Sequence, residues 1–323
     1  MQVQVLFLQT TVYNGFMIDL RRLAVLRAVA HYGTVTAAAE AVHMTPSAAS
    51  QHLRRLAREL DVQLLEPNGR RVRLTPSARS LLRHADRMET YWQEAEAELQ
   101  AAASPRLRGV LRMAGMPTAV SALLAPLTTR LRQEEPELTV ALREAEPREC
   151  YDLLFSGETD LAVVEATEDS PPLNDGRFDQ QPLLDDPYDL LTHADHPLAG
   201  RPGTTLGDLA GEQWIVGMCG TACRQLVLSA CNAAGFTPEV AHQAREWTVV
   251  ATLVAHGLGI ALVPRVTQLP PLPEAVRTPL TGTTCPSRRF LSVIRSGSGD
   301  HPALSAARSL LDTLAADVLS THG

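Results

Sequence analysis

The 323-residue chain contains no lysine: all 29 of its basic residues are arginine. That absence excludes a lysine Schiff base and the lysine of a phosphate-binding P-loop, and it suggests a GC-rich bacterial coding sequence. Aromatic residues make up only 4% of the chain, and no apolar run approaches the ~18 residues of a membrane-spanning helix. Residues 1–16 are mildly apolar but lack the basic stretch of an export signal. They are expected to be an upstream start-site extension, or else a short strand or tail; the protein is expected in the cytoplasm, with no membrane partner. Five cysteines, Cys150, Cys219, Cys223, Cys231 and Cys285, are an odd number in a long chain and read as reduced thiols rather than a disulfide scaffold.

What is present is a globular composition, 45% hydrophobic and 20% charged, with room for two domains at about 150 residues each. The net charge of −7 would by itself argue against nucleic acid. The charges segregate, however. Residues 1–88 hold twelve arginines against six acids, a net of +6, and residues 89–323 hold seventeen against thirty, a net of −13. Such asymmetry reads as a small basic module, suited to nucleic acid, joined to a larger acidic body; arginines that merely solvate helix faces are the bland alternative.

Within the basic part, Leu20, Leu23, Val25, Leu26, Val29 and Ala30 recur at helical spacing up to Gly33. Thr34 or Thr36 can cap a short second helix whose Ala37, Ala38 and Ala39 allow close packing. Thr45-Pro46-Ser47 is a cap followed by proline at the first helical position, opening a third helix to about Leu60. Its apolar face is Ala49, Leu53, Leu56 and Leu60; its other face carries Ser47, Ser50, Gln51, Arg54, Arg55 and Arg58. This is a helix-turn-helix layout, whose third helix would read base edges and phosphates. Val62–Leu65 and Val72–Leu74 read as strands around the turn Pro67-Asn68-Gly69, a wing that places Arg70, Arg71 and Arg73 near phosphates or the minor groove.

Residues 19–75 resemble the winged helix-turn-helix of LysR-type transcriptional regulators, through Asp19–Leu23, Gly33–Glu40, Thr45–Gln51 and the wing from Leu64-Leu65 to Arg70–Thr75. Two departures stand out: Leu65 and Pro67 occupy the places where the family usually has phenylalanine and arginine, leaving Arg70 or Arg73 to supply the wing contact, and Pro76-Ser77-Ala78 replaces the usual Ala-Gly. The candidate DNA-binding set is Thr34, Thr36, Thr45, Ser47, Ser50, Gln51, Arg54, Arg55, Arg70, Arg71 and Arg73.

After Thr75, the residues Ala78, Leu81, Ala85, Met88, Trp92, Ala95 and Leu99 form a heptad seam, read as a coiled coil or as an amphipathic helix packed on its own domain. The resemblance implies the former, with Leu81, Met88, Trp92 and Leu99 as dimerisation residues, a homodimer or homotetramer, a palindromic double-stranded operator, and RNA polymerase as a further partner. The organisation expected is thus 1–16 extension, 17–75 winged helix-turn-helix, 76–104 linker helix and hinge, and 105–323 effector-binding domain.

In the body, strand and helix signals alternate, which argues an open α/β sheet. Asp160–Val164, Asp195–Ala199, Gly235–Pro238 and Gly257–Pro264 resemble stretches of the LysR-type effector domain. That resemblance implies two α/β lobes like those of periplasmic binding proteins, lobe I at about 107–181 and 283–320 and lobe II at about 184–277. The crossings would fall near 181–187 and 276–283. An effector of unnamed chemistry would sit where strand C-termini face helix N-termini, so Met116, Thr118, Glu165, Cys219, Thr221, Trp247 and Thr248 are its candidate contacts; Thr118 and Thr221 as mere helix caps are the alternative. Cys219, Cys223 and Cys231 could form a thiol switch but read better as small hydrophobes on one helix. His193 and His196 could be ligands at i, i+3, but Pro197 stops a helix there, and no zinc spacing, nucleophile elbow or P-loop occurs. No catalytic set, metal or cofactor is expected. A solute-binding or enzymatic α/β protein with a helical appendage is the second reading.

Overall fold

The computed structural model describes residues 20–69, 71–85, 88, 91 and 107–321, in two compact units, 1–89 and 90–323. In the first, α1 (Leu20–Tyr32), α2 (Val35–Ala41) and α3 (Pro46–Glu59) are followed by strands β1 (Leu65–Asn68) and β2 (Arg71–Leu74) and by α4 over residues 76–85. Gly33 ends α1 at φ +71°, a conformation that side chains other than glycine resist. Thr34, rather than Thr36, caps α2: its hydroxyl accepts the Ala37 N–H at 3.2 Å. Thr45 caps α3 in the same way through Ala48, also at 3.2 Å, with Pro46 in the first turn. Leu26, Ala38, Ala39, Ala49 and Leu56 are fully buried, so the methyl-sized side chains of α2 are what let α1 and α3 close over it. An ion pair from Arg22 to Glu59 ties the start of α1 to the end of α3.

The wing departs from the expectation. Its first strand is Leu65–Asn68, three residues later than Val62, and it takes Pro67 and Asn68 into the strand. A two-stranded ribbon makes this possible, because a proline whose missing N–H faces away from the only partner loses nothing. The turn starts instead at Gly69, with φ +61°. On α4, Ala78, Leu82 and Ala85 are buried in the core of this unit and Leu81 packs partly against it, while Met88 is 53% exposed. The first turns of the seam therefore serve their own module. Trp92, Ala95 and Leu99 lie outside the described residues, as do residues 1–16 and Arg70.

The second unit is built on one long sheet with strand order β10-β6-β11-β5-β3-β4, β9 also pairing with β6. Its strands are β3 (Gly109–Gly115), β4 (Leu138–Glu144), β5 (Leu161–Glu165), β6 (Phe178–His193), β9 (Ala261–Pro264), β10 (Ala275–Pro279) and β11 (Ser287–Arg295). Between β3 and β4 runs a helix in three contiguous segments, Pro117–Ala119, a π-helical Val120–Leu124, and Ala125–Glu134, together α5; α6 (Pro147–Ser156) precedes β5. α5 and the C-terminal helix α9 (Pro302–Thr321) pack with one apolar cluster and α6 with another, so helices cover both faces of the parallel strands. The sixteen-residue β6 passes from one lobe to the other, pairing first with β11 and then with β9 and β10. Beyond it, β7 (Gln213–Val216) and β8 (Glu239–Gln243) form a separate parallel pair, flanked by α7 (Ala222–Ala233) and α8 (Trp247–Ala255).

Gly259 joins α8 to this layer. It holds φ +141°, and a Cβ there would lie 2.7 Å from the Gln213 carbonyl oxygen; the next residue, Ile260, donates to that oxygen at 2.8 Å. Gly259→Ala should therefore destabilise the second unit by about 1–3 kcal/mol, read as a lowered urea midpoint. An unchanged midpoint would mean the loop relaxes without cost.

Candidate functional site

On the first unit, Ser47, Gln51, Arg54, Arg55 and Arg58 are exposed and fall on one face of α3 at helical spacing. Opposite them are the buried Ala49, Leu53 and Leu56. Ser50 is half-buried at the margin. The predicted residues differ in how committed they are. Arg55 Nε donates to Glu59 Oε1 at 3.0 Å, and Arg22 and Arg55 together hold the Glu59 carboxyl below its ordinary value. Thr34 and Thr45 spend their hydroxyls on helix caps, and the Thr45 and Ser47 hydroxyls lie 3.1 Å apart. Thr36 is exposed in the first turn of α2. Along β2, exposed Arg71 and Arg73 alternate with half-buried Val72 and Leu74, and Arg73 pairs across the ribbon with Glu66 at 3.0 Å. The Val72 N–H donates to the Gly33 carbonyl at 3.0 Å, which holds the wing against the end of α1.

In the second unit β3 lies between β4 and β5 and runs parallel to both. The helices leaving β3 and β4 cover opposite faces, so the C-terminal ends of β3 and β5 form a topological switch point, where open α/β sheets bind ligands. Met116 and Thr118 follow β3 and are buried at 7% exposure; Glu165 ends β5. From the other lobe, the loop after β7 carries Cys219 and Thr221. Thr221 caps α7, accepting from Arg224 and donating to Met218, and the exposed Cys219 thiol donates to Gln243 at 3.7 Å. Trp247 and Thr248 start α8 after the parallel neighbour β8.

Two family models match this architecture: the bacterial regulatory helix-turn-helix protein, lysR family, over residues 20–79, and the LysR substrate binding domain over residues 104–316. The chain belongs to the LysR family of transcriptional regulators. It is 28% identical over 303 residues to a hydrogen peroxide-inducible genes activator of Pectobacterium carotovorum, covering 92% of this chain and 95% of that one. It is 29% identical over 286 residues to the DNA-binding transcriptional dual regulator OxyR of Escherichia coli K12, covering 87% and 90%. An OxyR variant of Corynebacterium glutamicum superposes with a TM-score of 0.58 at 26% identity over 94% of each chain. Full-length BenM, at 21% identity and TM-score 0.57 over 93% and 97%, bears on the fold alone. Members of this family regulate transcription through a DNA-binding helix-turn-helix and an effector-binding domain, form oligomers and are not enzymes, which removes the second reading of the sequence.

The LysR-type chain holds one feature that sequence reasoning missed. Where β6 crosses between lobes, Arg288 of β11 stands opposite Asp186 and Arg289 opposite Asp185. Alternation sends the first pair inward and the second outward. Arg288 Nε donates to Asp186 Oδ2 at 2.9 Å in a fully buried pair, its Nη1 lies 3.6 Å from Glu165, and its guanidinium stacks 4.8 Å from the Phe290 ring. Asp186 also accepts the Val266 N–H. Tyr188, fully buried, and the Cys223 thiol in the first turn of α7 complete the cluster. Burial pushes the Glu165 carboxyl up, Arg288 opposing and Asp186 and Glu146 adding to it. The only hints in the sequence were the paired Asp185-Asp186, in the first segment expected to cross, and Arg288-Arg289, beyond the second; Cys223 read as core.

Asp186→Asn leaves a buried guanidinium without its main partner and should cost about 3–5 kcal/mol, whereas Asp185→Asn, on a solvent-screened pair, should cost far less. Equal losses in urea melts would refute the inward assignment. Because folding raises the Glu165 pKa above 4.5, the folded state binds that proton more tightly than the unfolded one. Stability should then fall as pH rises from 4.5 through the raised value. Glu165→Gln should flatten that part of the melting-temperature profile, and an unchanged slope would assign it elsewhere.

Proposed function

We propose that residues 17–75 read a palindromic operator in double-stranded DNA, with α3 in the major groove and Arg71 and Arg73 beside the phosphates. The observation that carries this is the α3 face, which offers Ser47, Gln51 and Arg54 at base-edge positions on a helix whose opposite face is buried. Arg55, shared with Glu59, and Arg73, shared with Glu66, suit backbone contact better than base reading. Residues 76–104 link two copies into a homodimer or homotetramer; exposed Met88 supports a seam that continues beyond α4. RNA polymerase is a further partner in this reading, and the cytoplasm is its place; no helix among the described residues is long and apolar enough to cross a membrane.

Residues 105–323 would hold the effector between lobes, near Met116, Thr118, Glu165, Cys219, Thr221, Trp247 and Thr248, and transmit its presence by changing lobe closure. Relatives named for hydrogen peroxide raise the question of a thiol signal. Cys223 and Cys231 both lie on α7, eight residues apart, which is about 12 Å of helix and beyond the ~7 Å Cα limit of a disulfide. Burial pushes the Cys231 thiol up to about 11 and raises Cys223 as well, away from the reactive thiolate. A bound small molecule fits this geometry better than a bridge between those two residues.

The test is operator affinity against salt, using DNA from upstream of the protein's own gene. Affinity should fall linearly on a log–log plot, and Arg71→Ala should reduce the slope by about 0.9, while Arg54→Ala should cost about 1–3 kcal/mol at its base position. Oligomeric state should survive both. Salt-independent binding, or loss of folding in either variant, would refute the assigned roles.

A further inference from the structure

We propose that lobe II carries a second ligand site, separate from the space between the lobes, that binds a small hydroxylated amine with its ammonium on Glu212 and Asp195. The site goes beyond the effector reading of residues 105–323 and does not rest on it. A pocket of about 430 Å³ opens where the loop at 193–197, the start of β7 and the turn after α8 meet, a size usual for small-molecule sites. Gln213 starts β7 here, and α8 ends just before Gly257. The opposite ends of the same two elements lead to Cys219 and Thr221 and to Trp247 and Thr248. Nine residues of α8 span about 13 Å, so the pocket is set well apart from those candidate contacts.

Its charge is one-sided. Among the described lining residues Asp195 and Glu212 are acids and none is arginine. His193 Nδ1 stands 3.8 Å from Asp195 and His196 Nε2 3.3 Å from Glu212. Each ring, however, already accepts a backbone N–H at Nδ1, from Asp195 and from Leu198, both at 3.2 Å. A ring that accepts at Nδ1 is the neutral imidazole with its proton on Nε2, and it cancels no carboxylate charge. Gly257, at φ +70°, follows the end of α8 within the lining, so the negative end of that helix dipole faces the same space. A cation is what these acceptors lack. Among the described residues no group of three or more histidines, cysteines and acids is placed to hold a metal ion, so an ammonium, which brings its own N–H donors, is the cation that fits.

The second support lies under the pocket floor. Pairing of β6 with β9 runs as far as Leu191 opposite Ala261; one step further Thr192 comes beside Ile260, which in turn bridges Trp214. Ile260 lines the pocket and shares a buried cluster with Trp214 and Leu190, whereas Leu191 and Ala261 belong to the cluster on the other face. Alternation therefore puts the Thr192 side chain on the Ile260 face. Thr192 and Trp214 are fully buried, yet Thr192 Oγ1 and Trp214 Nε1 have no hydrogen-bond partner. An indole nitrogen can only donate, and buried polar groups without partners are rare enough to mark where one belongs. A hydroxyl on the amine, entering past Ile260, supplies the acceptor for Trp214 and a donor for Thr192.

Isothermal titration of the full-length protein with 4-amino-1-butanol tests this, in the presence of EDTA. Butylamine, which lacks the hydroxyl, and 1,4-butanediol, which lacks the charge, are run beside it. The amino alcohol should bind with a Kd of about 10 mM or below, and butylamine about three- to tenfold more weakly, the loss of one hydrogen-bonded group. Butanediol should give no binding heat at the same concentrations. Glu212→Gln should weaken the amino alcohol about tenfold and Asp195→Asn about threefold, and Thr192→Val should erase the advantage of the hydroxyl. The Asp195 side chain is 94% exposed, so Asp195→Asn carries the test should Glu212→Gln fail to fold. The proposal is overturned if the amino alcohol does not bind, if butanediol binds equally well, if the acid variants keep wild-type affinity, or if Thr192→Val still prefers the amino alcohol to butylamine.

Discussion

The effector unit depends on the antiparallel pairing of β6 with β11, and that pairing depends on where Asp186 meets Arg288. A buried ion pair adds little net stability, because the desolvation of both charges offsets their attraction. Its contribution is register. Arg288 and Arg289 are adjacent, as are Asp185 and Asp186, so a slip of one residue would turn the outer pair inward and leave the sheet interior with mismatched charges. The ladder also shifts between Phe290 and Leu291, a bulge that adds local twist just where the strand leaves one lobe for the other. A continuous sixteen-residue β6 then makes the crossing a rigid element, so relative lobe motion has to bend this strand or rotate about it.

The first unit solves a different problem with smaller means. A helix-turn-helix must hold α3 rigidly while leaving one whole face unpacked. It does so through close approach at Ala38, Ala39 and Ala49, all fully buried, and through two threonine caps that satisfy the N-terminal donors of α2 and α3. The ion pair from Arg22 to Glu59 and the hydrogen bond from Arg55 to the same carboxylate close the far end. Exposed Gln51 and Arg54 thus stand on a helix fixed at both ends.

Local chemistry decided which of these features could be read in advance. Caps, prolines and helical periodicity are properties of neighbouring residues, so Thr45-Pro46 and the Ala49, Leu53, Leu56 stripe announced α3 directly. The wing was misplaced because Pro67 and Asn68 carry strong turn propensity, and only the one-sided ribbon makes them acceptable in a strand. The α4 seam divided because its first members, Ala78 and Ala85, are small enough to pack with Leu82, off the heptad, into the module core, while Met88 stays exposed. The Arg288 cluster was illegible for a deeper reason: its members come from four elements separated by up to 123 positions, Glu165 to Arg288, and only antiparallel register brings them together. Met116, Thr118 and Glu165 could be named from the switch-point logic of an α/β sheet, but not the charges that face them.

The absence of lysine takes on structural meaning at this cluster. Arg288 works in several directions at once: Nε to Asp186 and Nη1 towards Glu165, while the flat face of the guanidinium rests on Phe290. A lysine ammonium would place one compact, strongly hydrated charge near Asp186 and could neither stack on the ring nor keep a second donor aimed elsewhere. Arg265 and Arg277 work in the same manner, the first chelating Asp189 through two nitrogens and the second spanning two backbone carbonyls. A planar, permanently charged group can therefore brace the crossing strands through several donors at once, which ties the register of the fold to arginine at these positions.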